Sequence, residues 1–186
     1  MVEWTRVKWT EAGQITRVLG WDDEPVETLT MPPCTFFAKL KSDGRFGHAV
    51  AFLAQALPRF DAVSWAVRFV HDSEPVAKPE SPEANALKSA LLWLQDPSEE
   101  RRRTAFVAAR KCKGAESMAA MAVFFSGGSI APLKCDPQPA PPDAAGRFAA
   151  VAVRIACARS ADRERAFRTA LETGERLACK TDAVAA

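Results

Sequence analysis

Two histidines, five cysteines and one glycine pair are the residues of this chain that could do chemistry. A serine or cysteine nucleophile needs a base within hydrogen-bond reach. His71, Asp72 and Ser73 are consecutive, but adjacency in sequence does not create triad geometry. His71 also falls at a predicted helix C-terminus, where a protonated imidazole suits the helix dipole. His48 falls opposite the apolar stripe of its helix, so exposure is expected. The cysteines are Cys34, Cys112, Cys135, Cys157 and Cys179. Their odd number argues against a disulfide framework, and no C-x-x-C or Cys/His spacing suits zinc. They are expected as small core hydrophobes. The last four recur every 22 or 23 residues, but their neighbours do not match, so no repeat is assigned. No metal and no cofactor is expected.

The glycine pair lies in Ser126-Gly127-Gly128-Ser129. A phosphate-binding P-loop needs G-x-x-x-x-G-K-[ST] after a strand. A nucleophile elbow needs G-x-S-x-G between strand and helix. Neither is present. A helical run precedes the pair, so Ser126 reads as its end, with Gly127 or Gly128 as a left-handed C-cap. Pro132, Pro137, Pro139, Pro141 and Pro142 follow, which predicts an extended strap across the helices or a surface that docks a partner. Arg101-Arg102-Arg103, with Arg110, Lys111 and Lys113, resembles a basic patch. Glu99 and Glu100 lie within one turn of it, however, and predict a solvated, salt-bridged helix face. With 25 basic against 23 acidic residues, the net charge of +2 gives no case for nucleic acid or an anionic membrane.

The elements that must hold these residues read as helices almost throughout. Pro32 and Pro33 open the first clear one, with Phe36, Phe37 and Leu40 on one face and Gly44 as its stop. Asp43 is a candidate cap for a second, whose face is Phe46, Val50, Leu53, Ala54 and Leu57. Pro58 opens a third, with Phe60, Val63, Val67 and Val70 inward and Trp65 and Phe69 flanking. Residues 72–81 read as a loop. Ser81-Pro82 starts a fourth, with Leu87, Leu91, Leu94, Ala90 and Trp93 buried. Asp96-Pro97-Ser98-Glu99 predicts a start with Asp96 as N-cap, Pro97 at N1 and Glu99 reaching back to the cap. That helix should run to Lys113 and stop at Gly114. Another spans 115–125. Pro142-Asp143 starts an alanine-rich helix, which implies close helix approach. Ser160 is the candidate cap of the last, in which Gly174 is expected to kink or end the run.

Short connections between them imply antiparallel neighbours. The expected fold is all-α, with about seven helices in stacked hairpins, open to a solenoid-like arrangement. Residues 1–31 are expected as an irregular N-terminal arm, extended or with one short helix around Glu11–Leu19. Residues 32–180 form the single helical domain and 181–186 a frayed tail. The N-terminus has no continuous apolar run of signal-peptide type, and no apolar run is long enough to span a bilayer. A soluble, cytoplasmic protein without a membrane or nucleic-acid partner is expected.

Three segments carry a resemblance: GRFGHAVAFLAQALPRFDAVSWAVR (44–68), LQDPSEERRRTAFVAA (94–109) and FFSGGSIAPLK (124–134). They resemble an uncharacterised helical family, a domain of unknown function found mainly in proteobacteria. Its members carry a Trp-Trp pair, D-P-S-E-E-N-R-R and F-W-S-G-G-S-L-A-P in the corresponding segments. This chain departs at Ser64, Arg101 and Phe125. Members occur near type VI secretion genes, so the resemblance implies an accessory, adaptor or chaperone role. The expected function is a non-enzymatic interaction module that binds a secretion-system component or effector. Two alternatives stand beside it: an immunity or regulatory protein that binds a toxin, and a small hydrolase or transferase with a Cys or Ser nucleophile. The expected partner-binding residues are Trp65, Trp93, Phe125, Ser126, Gly127, Gly128, Pro132, Pro137 and Pro139.

Overall fold

The computed structural model of the chain describes residues 3–73 and 78–179. The expected tail at 181–186 and part of the 72–81 loop lie outside them. The described residues form ten helices: α1 (Ala12–Leu19), α2 (Val26–Leu29), α3 (Pro33–Ser42), α4 (Phe46–Ala56), α5 (Arg59–Asp72), α6 (Pro82–Gln95), α7 (Glu99–Ala109), α8 (Ala115–Phe124), α9 (Ala144–Arg159) and α10 (Arg163–Cys179). The fold is all-α, as the spacing predicts. Inside the expected arm, α1 is the short helix expected around Glu11–Leu19, and α2 is the extra element. Among the described residues no helix is long and apolar enough to cross a membrane.

Local chemistry accounts for most boundaries. Ser81 caps α6 by accepting the Ala84 N–H at 3.1 Å, with Pro82 in the first turn. The α7 start is shifted from its expected place. Ser98, not Asp96, is the N-cap, and its hydroxyl accepts the Arg101 N–H at 3.4 Å. Pro97 disfavours the helical region for the residue before it, so Asp96 is extended (φ −146°, ψ 91°) and ends α6. Asp43 likewise ends α3 and does not cap α4. α10 is capped by Asp162, which accepts the Arg165 N–H at 3.0 Å, whereas Ser160 ends α9. Gly174 neither kinks nor ends α10. It is buried, and a Cβ there would lie 2.7 Å from Leu53 and 2.8 Å from Trp65. The glycine is where this helix touches its neighbours.

α9 lies at the centre, with α4, α5, α8 and α10 around it. Its buried side is made mainly of small residues, among them Ala145, Gly146, Ala149, Ala152 and Ala156, which allows the close approach that the alanines imply. α8 is buried on nearly every side, as expected of a helix apolar all round. α6, α7 and α8 stack on one another, and the stack closes on α5 and α9 rather than running on as an open solenoid. The N-terminal segment is part of this core. Trp4 packs against Phe37, with ring centroids 5.1 Å apart, and Ala12 and Ile15 are fully buried. The Arg6 N–H donates to Ala178 O at 3.0 Å, and Trp9 Nε1 donates to Gln55 O at 3.1 Å.

Candidate interaction site

The first turn of α7 and the loop after α8 form one structure. Arg102 lies on the buried side of α7, in line with Ala105 and Ala109. Its side chain is only 4% exposed. Nε donates to Glu99 Oε2 at 2.7 Å and Nη2 to Glu99 Oε1 at 2.8 Å. Nη1 donates to Phe124 O, and Nη2 also reaches Ser129 O at 2.6 Å. The guanidinium lies over the Phe124 ring, 4.7 Å from its centroid. Phe124 O is a terminal carbonyl of α8 without an intrahelical partner, so a cation there satisfies an acceptor and suits the helix dipole. Arg103 adds bonds to Glu99 Oε1 (2.7 Å), Ala131 O (3.0 Å) and Ser129 O (3.1 Å). The Arg102 guanidinium, and after it that of Arg103, hold the Glu99 carboxyl down at about 2. The expected salt-bridged face holds for Glu99 and Arg103 and is corrected at Arg102 alone. Arg102 is a buried brace, because four acceptors surround it.

Gly128 is the left-handed residue of the loop, with φ +64°. A Cβ there would also lie 2.9 Å from Glu99 Oε2 and 3.0 Å from Arg102 Nη2. Both the backbone and the space demand glycine. Gly127 has nothing within 4 Å of an added Cβ. The Ser126 hydroxyl donates to Val123 O at 2.7 Å, and its carbonyl accepts from Arg59 at 3.2 Å. Phe125 is half-buried, stacked on Phe148 at 4.9 Å.

After Gly128 the chain does not run as an extended strap. It folds back on itself. An antiparallel bridge joins Ser129 to Pro139, and the Ile130 N–H donates to Gln138 O at 2.8 Å. The Ser129 hydroxyl accepts the N–H groups of Ala131 (3.2 Å) and Gln138 (3.0 Å). The Cys135 N–H donates to Pro132 O at 3.0 Å, which closes a turn over 132–135. The polyproline expectation fails because one serine hydroxyl and the Arg102 and Arg103 brace gather the two limbs. Pro132, Pro137 and Pro139 are exposed along the loop. Leu133 stands at the turn, 79% exposed, and faces Val107 of α7, itself 55% exposed, across a depression of about 470 Å³.

Trp65 and Trp93 are interior residues, a correction to their expected place on a partner-facing surface. Trp65 is 3% exposed, and its indole N–H donates to Ala170 O at 3.0 Å. Trp93 is 5% exposed, against Phe60. Neither histidine bonds to a serine hydroxyl or cysteine thiol among the described residues. His71 Nδ1 pairs with Asp72 at 3.0 Å, while the Ser73 hydroxyl donates to Phe69 O at 2.6 Å. Burial pushes the Cys157 thiol up to about 12 and raises those of Cys112 and Cys179, which is the opposite of nucleophile activation. Sequence reasoning missed Arg102, Leu133 and Val107. Arg102 had a readable signal, since positions 102, 105 and 109 share one helix face.

No curated protein and no solved structure matches the chain. The pattern of a family of unknown function (DUF6931) matches residues 36–178, a stretch that contains Glu99, Arg102, Arg103 and the whole loop. The chain belongs to that family.

Proposed function

We propose that the protein is a non-enzymatic interaction module whose working part is the loop 129–139. Its partner is a protein component or effector of a bacterial type VI secretion system, and its role is that of an adaptor or chaperone. The observation that carries this reading is Leu133. A large apolar side chain, 79% exposed, stands at the turn of a loop that ion pairs and hydrogen bonds hold in shape. A braced loop loses little freedom on binding, which favours affinity. A leucine side chain taken out of water at an interface contributes through the apolar area it buries. Val107 and the depression between the two residues extend the surface. The choice of secretion machinery rests on the resemblance of segments 44–68, 94–109 and 124–134.

The test is co-purification of the protein with each cloned component of the host's secretion locus. The Leu133→Asp variant should bind its partner more weakly by about 2 kcal/mol, the worth of burying one leucine side chain. Its melting temperature should stay within the error of the parent, since Leu133 is a surface residue. Equal binding by parent and variant, or binding by none of the components, would sink the reading. A toxin as the Leu133-dependent partner would replace the adaptor role with an immunity role.

A further inference from the structure

A second concave site lies on other elements and shares no lining residue with the depression beside the loop. It is a cleft of about 360 Å³ between the end of α1, the first turns of α4 and the middle of α9. The sequence builds each wall by a simple rule. Gly20 takes φ +73° after α1, with its N–H on Arg17 O, and the Trp21 N–H returns to Thr16 O at 3.0 Å. This paired helix stop sets where Trp21 emerges. Its ring meets the His48 imidazole edge-on, with centroids 5.0 Å apart. Arg147, Val151 and Arg154 follow at the i, i+4 and i+7 positions of α9, so they share one face.

The charge in the cleft is one-sided. No aspartate or glutamate lines it. Arg147 is engaged, pairing with Asp143 and donating to Val18 O at 2.7 Å. The neighbouring Glu24 carboxylate is occupied by Arg45. Arg154 is different: it makes no hydrogen bond or ion pair with any described residue. Its guanidinium lies beside Gly47, where an added Cβ would sit 3.6 Å from Nε. An exposed fork of N–H donors in a concave, cationic setting matches the geometry of a carboxylate or phosphate. Leu19, Trp21 and Val151 supply an apolar wall beside it. The volume falls at the lower end of the range for small-molecule pockets, about 300–1,000 Å³.

We infer that this cleft binds a small organic anion, with its carboxylate or phosphate head on Arg154 and His48 and its apolar body against Trp21, Leu19 and Val151. The ionisable groups that bear on His48 agree with this. Burial, Arg45 and Arg154 hold its imidazole below the ordinary range, and Glu24 opposes them. An anion in the cleft offsets the two arginines, so binding draws a proton onto His48 and strengthens as the pH falls through its titration.

The experiment follows the Trp21 indole N–H and the His48 imidazole by NMR in the full-length protein, with Trp21→Phe assigning the indole signal. The probes are benzoate, phenyl phosphate, inorganic phosphate and uncharged benzyl alcohol. The expected result is saturable shifts with benzoate, phenyl phosphate or both, and the stronger of the two identifies the head group. Binding of benzyl alcohol, and of either anion to Arg154→Gln, should be weaker by about tenfold or more, the loss of one charged hydrogen-bonding partner. The His48 titration should move up with the anion bound. Arg154→Lys should keep part of the affinity. Four outcomes overturn the inference: no probe binds at millimolar concentration, benzyl alcohol binds as well as the anions, Arg154→Gln binds like the parent, or inorganic phosphate binds as tightly as phenyl phosphate. An unchanged melting temperature for Arg154→Gln separates loss of the site from loss of the fold. None of these results bears on the loop.

Discussion

Arg102 shows how one side chain can join two distant segments. Its hydrogen bonds tie the first turn of α7 to the last carbonyl of α8 and to Ser129. Removing Arg102 is costly because the Phe124 and Ser129 carbonyls lose their charged donor, the first of them in a buried position, while the half-exposed Glu99 keeps Arg103. Arg102→Met should lower the unfolding free energy by about 2–3 kcal/mol, the upper part of the range for a buried acceptor left without its donor, measured by urea denaturation. Arg103→Met, in a more exposed position, should cost about 1 kcal/mol, the net worth of an ordinary hydrogen bond. Equal losses would contradict the brace. Glu99 gives the pH arm. Its carboxyl sits at about 2 in the folded protein against an ordinary 4.5. A depressed carboxyl favours the folded state above its unfolded pKa. That contribution is complete above pH 4.5 and is lost as the pH falls toward 2. The difference in urea midpoint between the parent and Glu99→Gln should therefore narrow over this window. The pairing of Glu99 with Arg103 was legible in the i, i+4 spacing. The burial of Arg102 was not, because its acceptors include carbonyls more than twenty residues downstream.

At the scale of elements, punctuation was legible and contact was not. Pro33 and Ser81-Pro82 open helices as their chemistry requires, whereas Pro58 and Asp143 precede α5 and α9 without a side-chain cap bond, Asp143 pairing with Arg147 instead. α7 ends at Ala109, short of the expected Lys113, because Ser117 donates to Ala109 O at 2.9 Å and Lys111 and Cys112 turn back on Ala108 and Ala109. The partner that stops the helix comes from the next one, so no local pattern announces it. Glycine is a poor helix former, so Gly174 reads as a break in the sequence; its environment shows that it is small for the sake of α4 and α5. Gly174→Ala should cost about 1–3 kcal/mol through overpacking and shift the Trp65 indole signal. The two loop glycines offer a matched contrast. Gly128→Ala should destabilise through both its φ of +64° and its contacts, whereas Gly127→Ala has open space and should stay within about 0.5 kcal/mol. Thermal melts of the pair would check this.

The whole molecule is one core with α9 at its middle, and residues before the family-matched stretch contribute to it. The sequence predicts an arm over residues 1–31 because Trp4, Val7 and Trp9 alternate with charges and give no helical stripe. Tertiary partners decide their place: Trp4 packs on Phe37 and Phe52. Trp4→Ala should cost about 3–5 kcal/mol, the range for deleting a large aromatic from a core, although the residue lies outside residues 36–178. A change of less than 1 kcal/mol, well under that range, would restore the arm. The all-helical class was open to inspection because period and caps are local. The central position of α9 was not, since it depends on which faces meet.

The bridge between Ser129 and Pro139 has a consequence for how such a protein can change. It brings the two ends of the loop side by side, while the Arg102 and Arg103 contacts end at Ala131. Gln138 is held through its backbone N–H and carbonyl, so residues 132–137 can be exchanged, lengthened or shortened without moving any helix end. That makes the tip a cassette: its sequence is free to drift while the frame beneath it stays fixed. Transplanting the tip of a relative onto this frame should transfer that relative's binding preference and leave the unfolding free energy nearly unchanged.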